Sequence, residues 1–384
     1  MISIGWRNLK RDPIRSAVAV LGVTFAVVLV TVEVGMLLGL LRNSSLLVDR
    51  SSADLWVATL DVKTFDFATP FDARKQYRIE AIPGVERVEE FNSSYSVWKL
   101  PSGGSTNVQV IGVDTRGQLA PKLDLVSGSL DDCQNQDAII IDEGERAKLG
   151  NPNLGDTVEI IQRRAKVVGF TRGMRSFTTT PYVFTSLRGA EHYAWLSRNS
   201  MTGGGESGRQ VVYLLLRVKP GYDPEAVRDA IMKKVPDVEV HTRSGLSWRT
   251  RCYWLIETGV GLGFAVAAFL GLVVGGVIVS QTLYAMTMEC LPEFGVLKAL
   301  GASMPELSRI VLEQSLICGA AGFSLGVLLS LAVCVLAAHA GTSVEIPATL
   351  LGCVALITTL LCASSALVSV LRLRSVEPAM VFRA

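Results

Sequence analysis

Few side chains in this chain are spaced for catalysis. The nearest approach to a phosphate cradle is the run G-N-P-N-L-G-D-T at residues 150–157. A nucleotide-binding loop, G-x-x-x-x-G-K-[ST], holds phosphate with backbone amides and one lysine. Asp156 stands where that lysine is required, and a carboxylate repels triphosphate. The run is therefore expected to be a turn leading into a strand. The three histidines, His192, His241 and His339, are far apart in sequence. Neither a paired-histidine metal site nor a nucleophile with its histidine base is expected. None of the seven cysteines forms a C-x-x-C pair. Cys290, Cys318, Cys334, Cys353 and Cys362 lie in or beside long apolar runs, Cys133 lies within the polar middle of the chain and Cys252 at its edge. Free thiols are expected throughout. No catalytic residue, metal or cofactor is assigned to this chain.

Two other groups carry chemistry of a different kind. Glu33 is a carboxylate inside an apolar run, roughly 13 Å of helix from Arg42. Acids within a bilayer are costly and default to a functional role; the plainer reading places Glu33 near the outer interface, facing a second copy or paired with a neighbour such as Arg42. The second group is the segment E-C-L-P-E-F-G-V-L-K-A-L-G-A-S at residues 289–303. Pro292 near a helix start, Glu293 in its first turn, Lys298 late in it and Gly301 after it describe a short capped helix with charges matched to its dipole. Ser303 and Glu306 are spaced as a capping box opening a further helix.

The elements that position these groups are long and apolar. Residues 258–288 and 314–344 each contain 31 residues without Asp, Glu, Lys or Arg, and residues 346–371 contain 26. About 20 suffice to cross the hydrocarbon. Residues 16–41 are also long enough, and too long for a cleaved signal peptide, whose apolar region spans about 7–15 residues. Arg7, Lys10, Arg11 and Arg15 precede the first run, Lys298 and Arg309 separate the second and third, and Arg372, Arg374 and Arg383 follow the fourth, whereas residues 339–347 carry no Lys or Arg. Positive charge marks the cytoplasmic side. Both termini and the middle loop are expected in the cytoplasm, and residues 43–253 outside. Those external residues hold 27 basic and 26 acidic side chains, which excludes a nucleic-acid or polyanion surface.

Residues 53–60, 94–100, 107–113, 138–141, 157–161 and 211–218 read as strands, and residues 224–235 as a helix with Asp223 as N-cap and Pro224 in its first turn. Residues 202–208, T-G-G-G-E-S-G, read as a loop. Ahead of the first span, Ile2, Trp6 and Leu9 recur at helical spacing, with Arg7, Lys10 and Arg11 elsewhere on the wheel. That pattern suits a helix lying in the cytoplasmic membrane surface, where Trp and basic residues anchor to lipid. The expected fold is an integral membrane α-helical protein of four transmembrane helices, with one α+β extracytoplasmic domain inserted between the first and second. In order these are an interfacial helix 1–15, first span 16–41, external domain 42–254, second span 255–285, cytoplasmic helix and loop 286–310, third span 311–338, external turn 339–347, fourth span 348–371 and tail 372–384.

Residues 289–303 resemble the E-R-x-x-E-I-G-x-L-K-A-L-G-A signature of FtsX-like ABC transporter permeases, the group that includes macrolide-exporter and lipoprotein-releasing permeases. Glu289, Glu293, Gly295, Leu297, Lys298, Ala299, Leu300, Gly301 and Ala302 match it, while Cys290 replaces Arg and Phe294 replaces Ile. Trp6, Arg7, Asn8 and Leu9 with Arg11, Pro13 and Arg15, residues 313–326, and V-E-P-A-M-V-F-R at 376–383 are similar to other parts of the same family in the same order. I-P-G-V at 82–85, G-D-T at 155–157 and A-K-V-V-G at 165–169 resemble its periplasmic core domain. With no fused ATPase and the opening A-D-L-W at 53–56, the chain looks most like the stand-alone permeases of the heterocyst-glycolipid exporter type.

The resemblance implies a non-catalytic subunit of the inner membrane that pairs with itself and docks on a separate ABC ATPase, which binds ATP and Mg. Glu289, Glu293, Phe294, Gly295, Leu297, Lys298, Leu300 and Gly301 would form the ATPase-coupling helix, and Trp6, Arg7, Leu9 and Arg11 the lipid-facing one. A periplasmic adaptor and outer-membrane channel would complete an export complex. Two rivals share parts of this pattern: a permease-like regulator of an external hydrolase, and a membrane-anchored receptor without an ATPase.

Overall fold

Apolar runs need backbone groups satisfied internally wherever water is absent, and the helix provides this within one segment. In the computed structural model, residues 13–178, 180–194, 209–289, 296, 303–339 and 343–373 are described. Their helices are α1 (Pro13–Ser44), α2 (Leu46–Arg50), α3 (Lys75–Glu80), α4 (Leu187–Tyr193), α5 (Pro224–Lys234), α6 (Arg243–Cys252), α7 (Val260–Glu289), α8 (Met304–His339) and α9 (Ala348–Leu373). Helices α1, α7, α8 and α9 each contain a stretch long and apolar enough to span a membrane. The chain divides into one unit of Met1–Gly39 with Val260–Ala384 and another of Leu40–Gly259.

The spans extend past the apolar runs that announced them. Helix α1 begins at Pro13 and ends at Ser44 instead of 16 and 41, because backbone hydrogen bonding continues into polar residues. Helix α8 starts at Met304, not 311, since Ser303 caps it: the Glu306 carboxylate accepts from the Ser303 backbone N–H at 2.7 Å and from its hydroxyl at 3.0 Å. The second span departs in the other direction at its start. Its expected start at 255 falls in a π-helical turn, Tyr253–Glu257, and Gly259 then adopts φ +72° before α7 opens at Val260. Only glycine takes that left-handed conformation cheaply.

The second unit is built on one sheet in the order β12-β1-β11-β3-β4-β9-β6-β8-β5, with β7 pairing both β3 and β8. The ranges are β1 Leu55–Ala58, β3 Val85–Lys99, β4 Ser105–Val113, β5 Leu125–Ser127, β6 Ala138–Asp142, β7 Thr157–Ile160, β8 Arg163–Thr171, β9 Tyr182–Ser186, β11 Tyr213–Val218 and β12 Glu239–Thr242, while β2 Phe71–Asp72 pairs separately with β10 Gln210–Val211. Pairing is antiparallel except for β4 with β9 and β6 with β8. All five residues of β6 and of β9 are buried, as expected for strands covered on both faces. The β7–β8 hairpin turns through Ile161 (φ +48°) and Gln162 (φ +59°), the left-handed pair that a two-residue hairpin demands.

Six expected strands appear with trimmed or extended ends, and the α5 cap forms as expected: Asp223 accepts from the N–H groups of Glu225 and Ala226 at 3.3 Å. Strands β2, β5, β8, β9 and β12 and helices α2, α3, α4 and α6 are additions. Within β8, Arg164 and Lys166 are exposed and Ala165 and Val167 buried, an alternation that residues 168–171 do not continue. The core centres on Trp56, Phe65, Phe91 and Tyr213, all fully buried; Phe65 and Tyr213 stack with ring centres 5.3 Å apart. Cys133 is buried and free, its thiol pushed by burial up to about 12, and Cys252 is also free.

Candidate functional site

The polypeptide passes between the two units twice, and within Leu40–Gly259 the two passages are fastened together. Helix α1 continues unbroken to Ser44, and α2 then sends Leu46, Leu47 and Val48 into the core. On the return, α6 opens at a Thr242 cap whose hydroxyl accepts from Gly245 N–H at 3.1 Å. Arg251, late in α6, donates through Nη2 to Asp49 Oδ2 at 2.6 Å and through Nε to Ser45 Oγ at 2.8 Å. Ser45 Oγ in turn donates to Asp49 Oδ2 at 2.7 Å. Arg243 reaches the Ser51 carbonyl at 3.0 Å. A guanidinium fork suits such a brace because its donors are fixed in one plane.

Just beyond the brace, the π-helical turn places Trp254 beside a buried carboxyl. Asp66 lies 7% exposed between Phe65 and Phe67. Its Oδ2 accepts a long 3.5 Å bond from the Thr64 hydroxyl. Asp66 Oδ1, Trp254 Nε1 and Gln109 Oε1 are each buried without a hydrogen-bond partner among the described residues. Burial raises the Asp66 pKa to about 6, and the nearby Trp254, Thr64 and Gln109 offset only part of that rise. π-turns frequently mark functional positions in helices. Neither Asp66, Arg251 nor Trp254 stood out in the sequence: a single Asp in a short loop carries no periodicity that announces burial.

In the other unit, α1 is clasped through two Gly-x-x-x-Gly pairs. A methyl added at Gly271 or Gly275 of α7 would strike Leu29 and Ala26, and one added at Gly322 or Gly326 of α8 would strike Val23 and Val27. The Thr24 hydroxyl also donates to the Gly322 carbonyl at 3.2 Å. Helix α9 is joined to α8 by Ser315 Oγ donating to the Cys362 carbonyl at 2.7 Å, and to α7 by the Ser280 and Ser365 hydroxyls at 2.8 Å. These span glycines pack helices within one chain, a choice that the sequence left open.

Of the residues expected to act, Glu289 ends α7, and Glu293, Phe294, Gly295, Leu297, Lys298, Leu300 and Gly301 lie outside the described residues, as do Trp6, Arg7, Leu9 and Arg11 and the loop at 202–208. Glu33 is half-buried on α1. Arg42 lies nine residues along the same helix, about 180° around it, so pairing between them is not made. Glu313 is engaged by Arg309 at 3.3 Å one turn away. Residues 150–157 form the expected turn: Gly150 and Gly155 have φ +84° and +88°, Asp156 accepts from Asn153 N–H at 2.7 Å, and strand β7 follows. We expect Glu33→Gln to leave folding and assembly intact and to lower transport by less than about fivefold, near 1 kcal/mol. Complete loss of transport at normal expression would assign Glu33 a functional charge.

The sequence model of the MacB-like periplasmic core domain matches residues 16–234, and that of the FtsX-like permease C-terminal region matches residues 265–378. This chain belongs to the ABC transporter permeases of the MacB/FtsX type. Two Mycobacterium tuberculosis proteins, from strains CDC 1551 and H37Rv, are each described as an uncharacterized ABC transporter permease. Both are 24% identical over 262 residues, covering 68% of this chain and 65% of theirs. This permease thus spans about two thirds of the length of those relatives. Among solved structures, the periplasmic region of MacB from Actinobacillus actinomycetemcomitans is similar at 11% identity and a TM-score of 0.35, over 52% of this chain and 94% of that one. The extracellular domain of the noncanonic ABC-type transporter YknZ from Gram-positive bacteria gives 13% and 0.33, over 50% and 99%. A permease of this type is a membrane-embedded protein.

Proposed function

We propose that this permease transmits ATPase-driven motion across the inner membrane to its extracytoplasmic domain, within an export complex. The observation that carries the reading is the Arg251–Asp49–Ser45 brace. Both covalent connections to the external domain run through it, so displacement of either span pulls on one fastened point. ATP and Mg belong to the partner ATPase, and the chain itself is non-catalytic. A second copy of the permease pairs with the first, both termini face the cytoplasm, and an adaptor with an outer-membrane channel receives the cargo outside.

Residues 289–301 are the proposed coupling helix, entering a groove on the ATPase. Phe294→Ala should cost about 2 kcal/mol of docking, as truncation of a desolvated anchor does, and Gly295→Trp should cost more by holding the two backbones apart. Both should reach the membrane and lose ATPase on pull-down. Arg251→Ala should behave differently. It should retain the ATPase yet lose the nucleotide-dependent change in spin-label distance between the external domains of an assembled complex. Wild-type ATPase retention in both coupling variants would remove the coupling helix. A wild-type distance change in Arg251→Ala would remove the brace as transmitter. Copurification of an external hydrolase with the ATPase would favour the regulatory rival, and absence of any ATPase the receptor.

A further inference from the structure

The external unit carries a rigid loop with its apolar side chains turned outward. Residues 59–69 leave β1 and return to β2, closed at the neck by the Thr59 and Thr69 hydroxyls 3.0 Å apart. The loop is pinned from inside: Val62 and Phe65 are buried, Phe65 N–H donates to the Thr250 hydroxyl at 3.2 Å, and the Tyr213 hydroxyl donates to the Phe65 carbonyl at 2.8 Å. Leu60 and Phe67 nonetheless remain 55% and 56% exposed. A loop so anchored holds those two side chains out by construction.

The position of this loop along the chain says what meets them. Phe67 packs on Tyr253 and Trp254, with ring centres 6.3 and 6.1 Å away, and Phe177 packs on Trp254 at 4.4 Å. Lys63 pairs with Glu257 at 3.4 Å. Ile256, in the same π-helical turn, is 71% exposed. Trp254 precedes Val260, where the apolar span begins, by six residues, at most about 20 Å of extended chain and about 9 Å if helical. Trp and Tyr collect at this depth, where an apolar ring and a polar edge are both satisfied, and exposed apolar side chains with a nearby Lys suit the same boundary.

We infer that residues 59–69 and the π-helical turn form a lipid-contacting foot, with Leu60, Phe67 and Ile256 seated in the outer-leaflet interface and Lys63 at the phosphate level. The foot carries the buried Asp66 within its loop, and it gives the external domain a second, non-covalent hold on the bilayer. This follows from membrane embedding alone and does not depend on the proposed transmission of force.

The test places a nitroxide at Leu60→Cys, Phe67→Cys and Ile256→Cys in the full chain lacking its native cysteines, reconstituted in nanodiscs containing phosphatidylglycerol. Lys233→Cys, on the exposed face of α5, is the aqueous reference. The three foot positions should be relaxed by oxygen and shielded from a water-soluble nickel chelate, with the reverse at position 233. Nickel access equal to that at 233 would overturn the foot. Shielding from both reagents would also overturn it, since that marks coverage by protein. Hydroxyl-radical footprinting of the wild-type chain in the same nanodiscs needs no substitution. With each rate normalised to the intrinsic reactivity of its side chain, Phe67 and Ile256 should be several-fold protected relative to Tyr77, which is 72% exposed, and normalised rates matching Tyr77 would overturn the proposal.

Discussion

Gly322→Leu is expected to abolish the packed four-helix unit, giving a chain that inserts but fails to run as a single species in mild detergent. The reason is local. A Cβ at Gly322 would sit 2.6 Å from Val23 Cβ and 2.9 Å from the Val20 carbonyl oxygen. Backbone cannot rotate away as a side chain can, so even Gly322→Ala forces α1 and α8 apart. Overpacking of this kind costs typically 1–3 kcal/mol, and separation also stretches the Thr24 to Gly322 hydrogen bond. Leucine adds three more carbons to the same contact. Gly263→Ala is the matched control. Nothing lies within 4 Å of a Cβ there, and glycine inside a helix costs roughly 0.5–1 kcal/mol relative to alanine, so this variant should be slightly more stable. Equal thermal stability of Gly322→Ala and Gly263→Ala in the same detergent would show that α1 and α8 do not pack closely through Gly322.

Asp66→Asn should raise the stability of the external domain at neutral pH, by up to roughly 3 kcal/mol. The folded pKa is about 6 against an ordinary 3.8, and each pKa step is worth about 1.4 kcal/mol. The sign follows from which form the fold prefers. Burial favours the neutral acid, so the folded state binds the proton more tightly than the unfolded chain does. The penalty is absent below about pH 4, grows as pH rises between about 4 and 6, and is fully present above 6. Asparagine keeps the shape without the charge. The gain in Tm over wild type should therefore be largest at pH 7–8 and vanish near pH 4. A gain independent of pH would show that charge burial is not its cause, and destabilisation at pH 7.5 would show that the ionised carboxylate is held by partners strong enough to reward it.

Why a fold would retain such a costly group bears on the junction. Asp66 sits between two phenylalanines of opposite fate, with Phe65 stacked in the core and Phe67 turned outward onto Tyr253 and Trp254. The loop that carries it is thereby tied to the last turn before the second span.

The four spans, the inserted external domain and the family were legible from residue order alone. Each rests on a signal that accumulates along the chain: uncharged runs longer than the bilayer requires, basic residues at their ends, and an extended motif at 289–303. Local caps were equally readable, because Asp223 with Pro224 and Ser303 with Glu306 act across three or four residues. The glycines of the spans announced close packing but not their partners, since a Gly-x-x-x-Gly face fits a helix of the same chain or of another. Only the assembled helices assign Gly271, Gly275, Gly322 and Gly326 to α1. The brace and the buried acid were decided by tertiary structure alone. Arg251 meets Asp49 across 202 positions of sequence, and Gln109 and Trp254 reach Asp66 from elements far away in the chain. No local pattern records such a meeting, because which charge becomes buried or paired is set by the sheet order that brings the two ends of the external domain together.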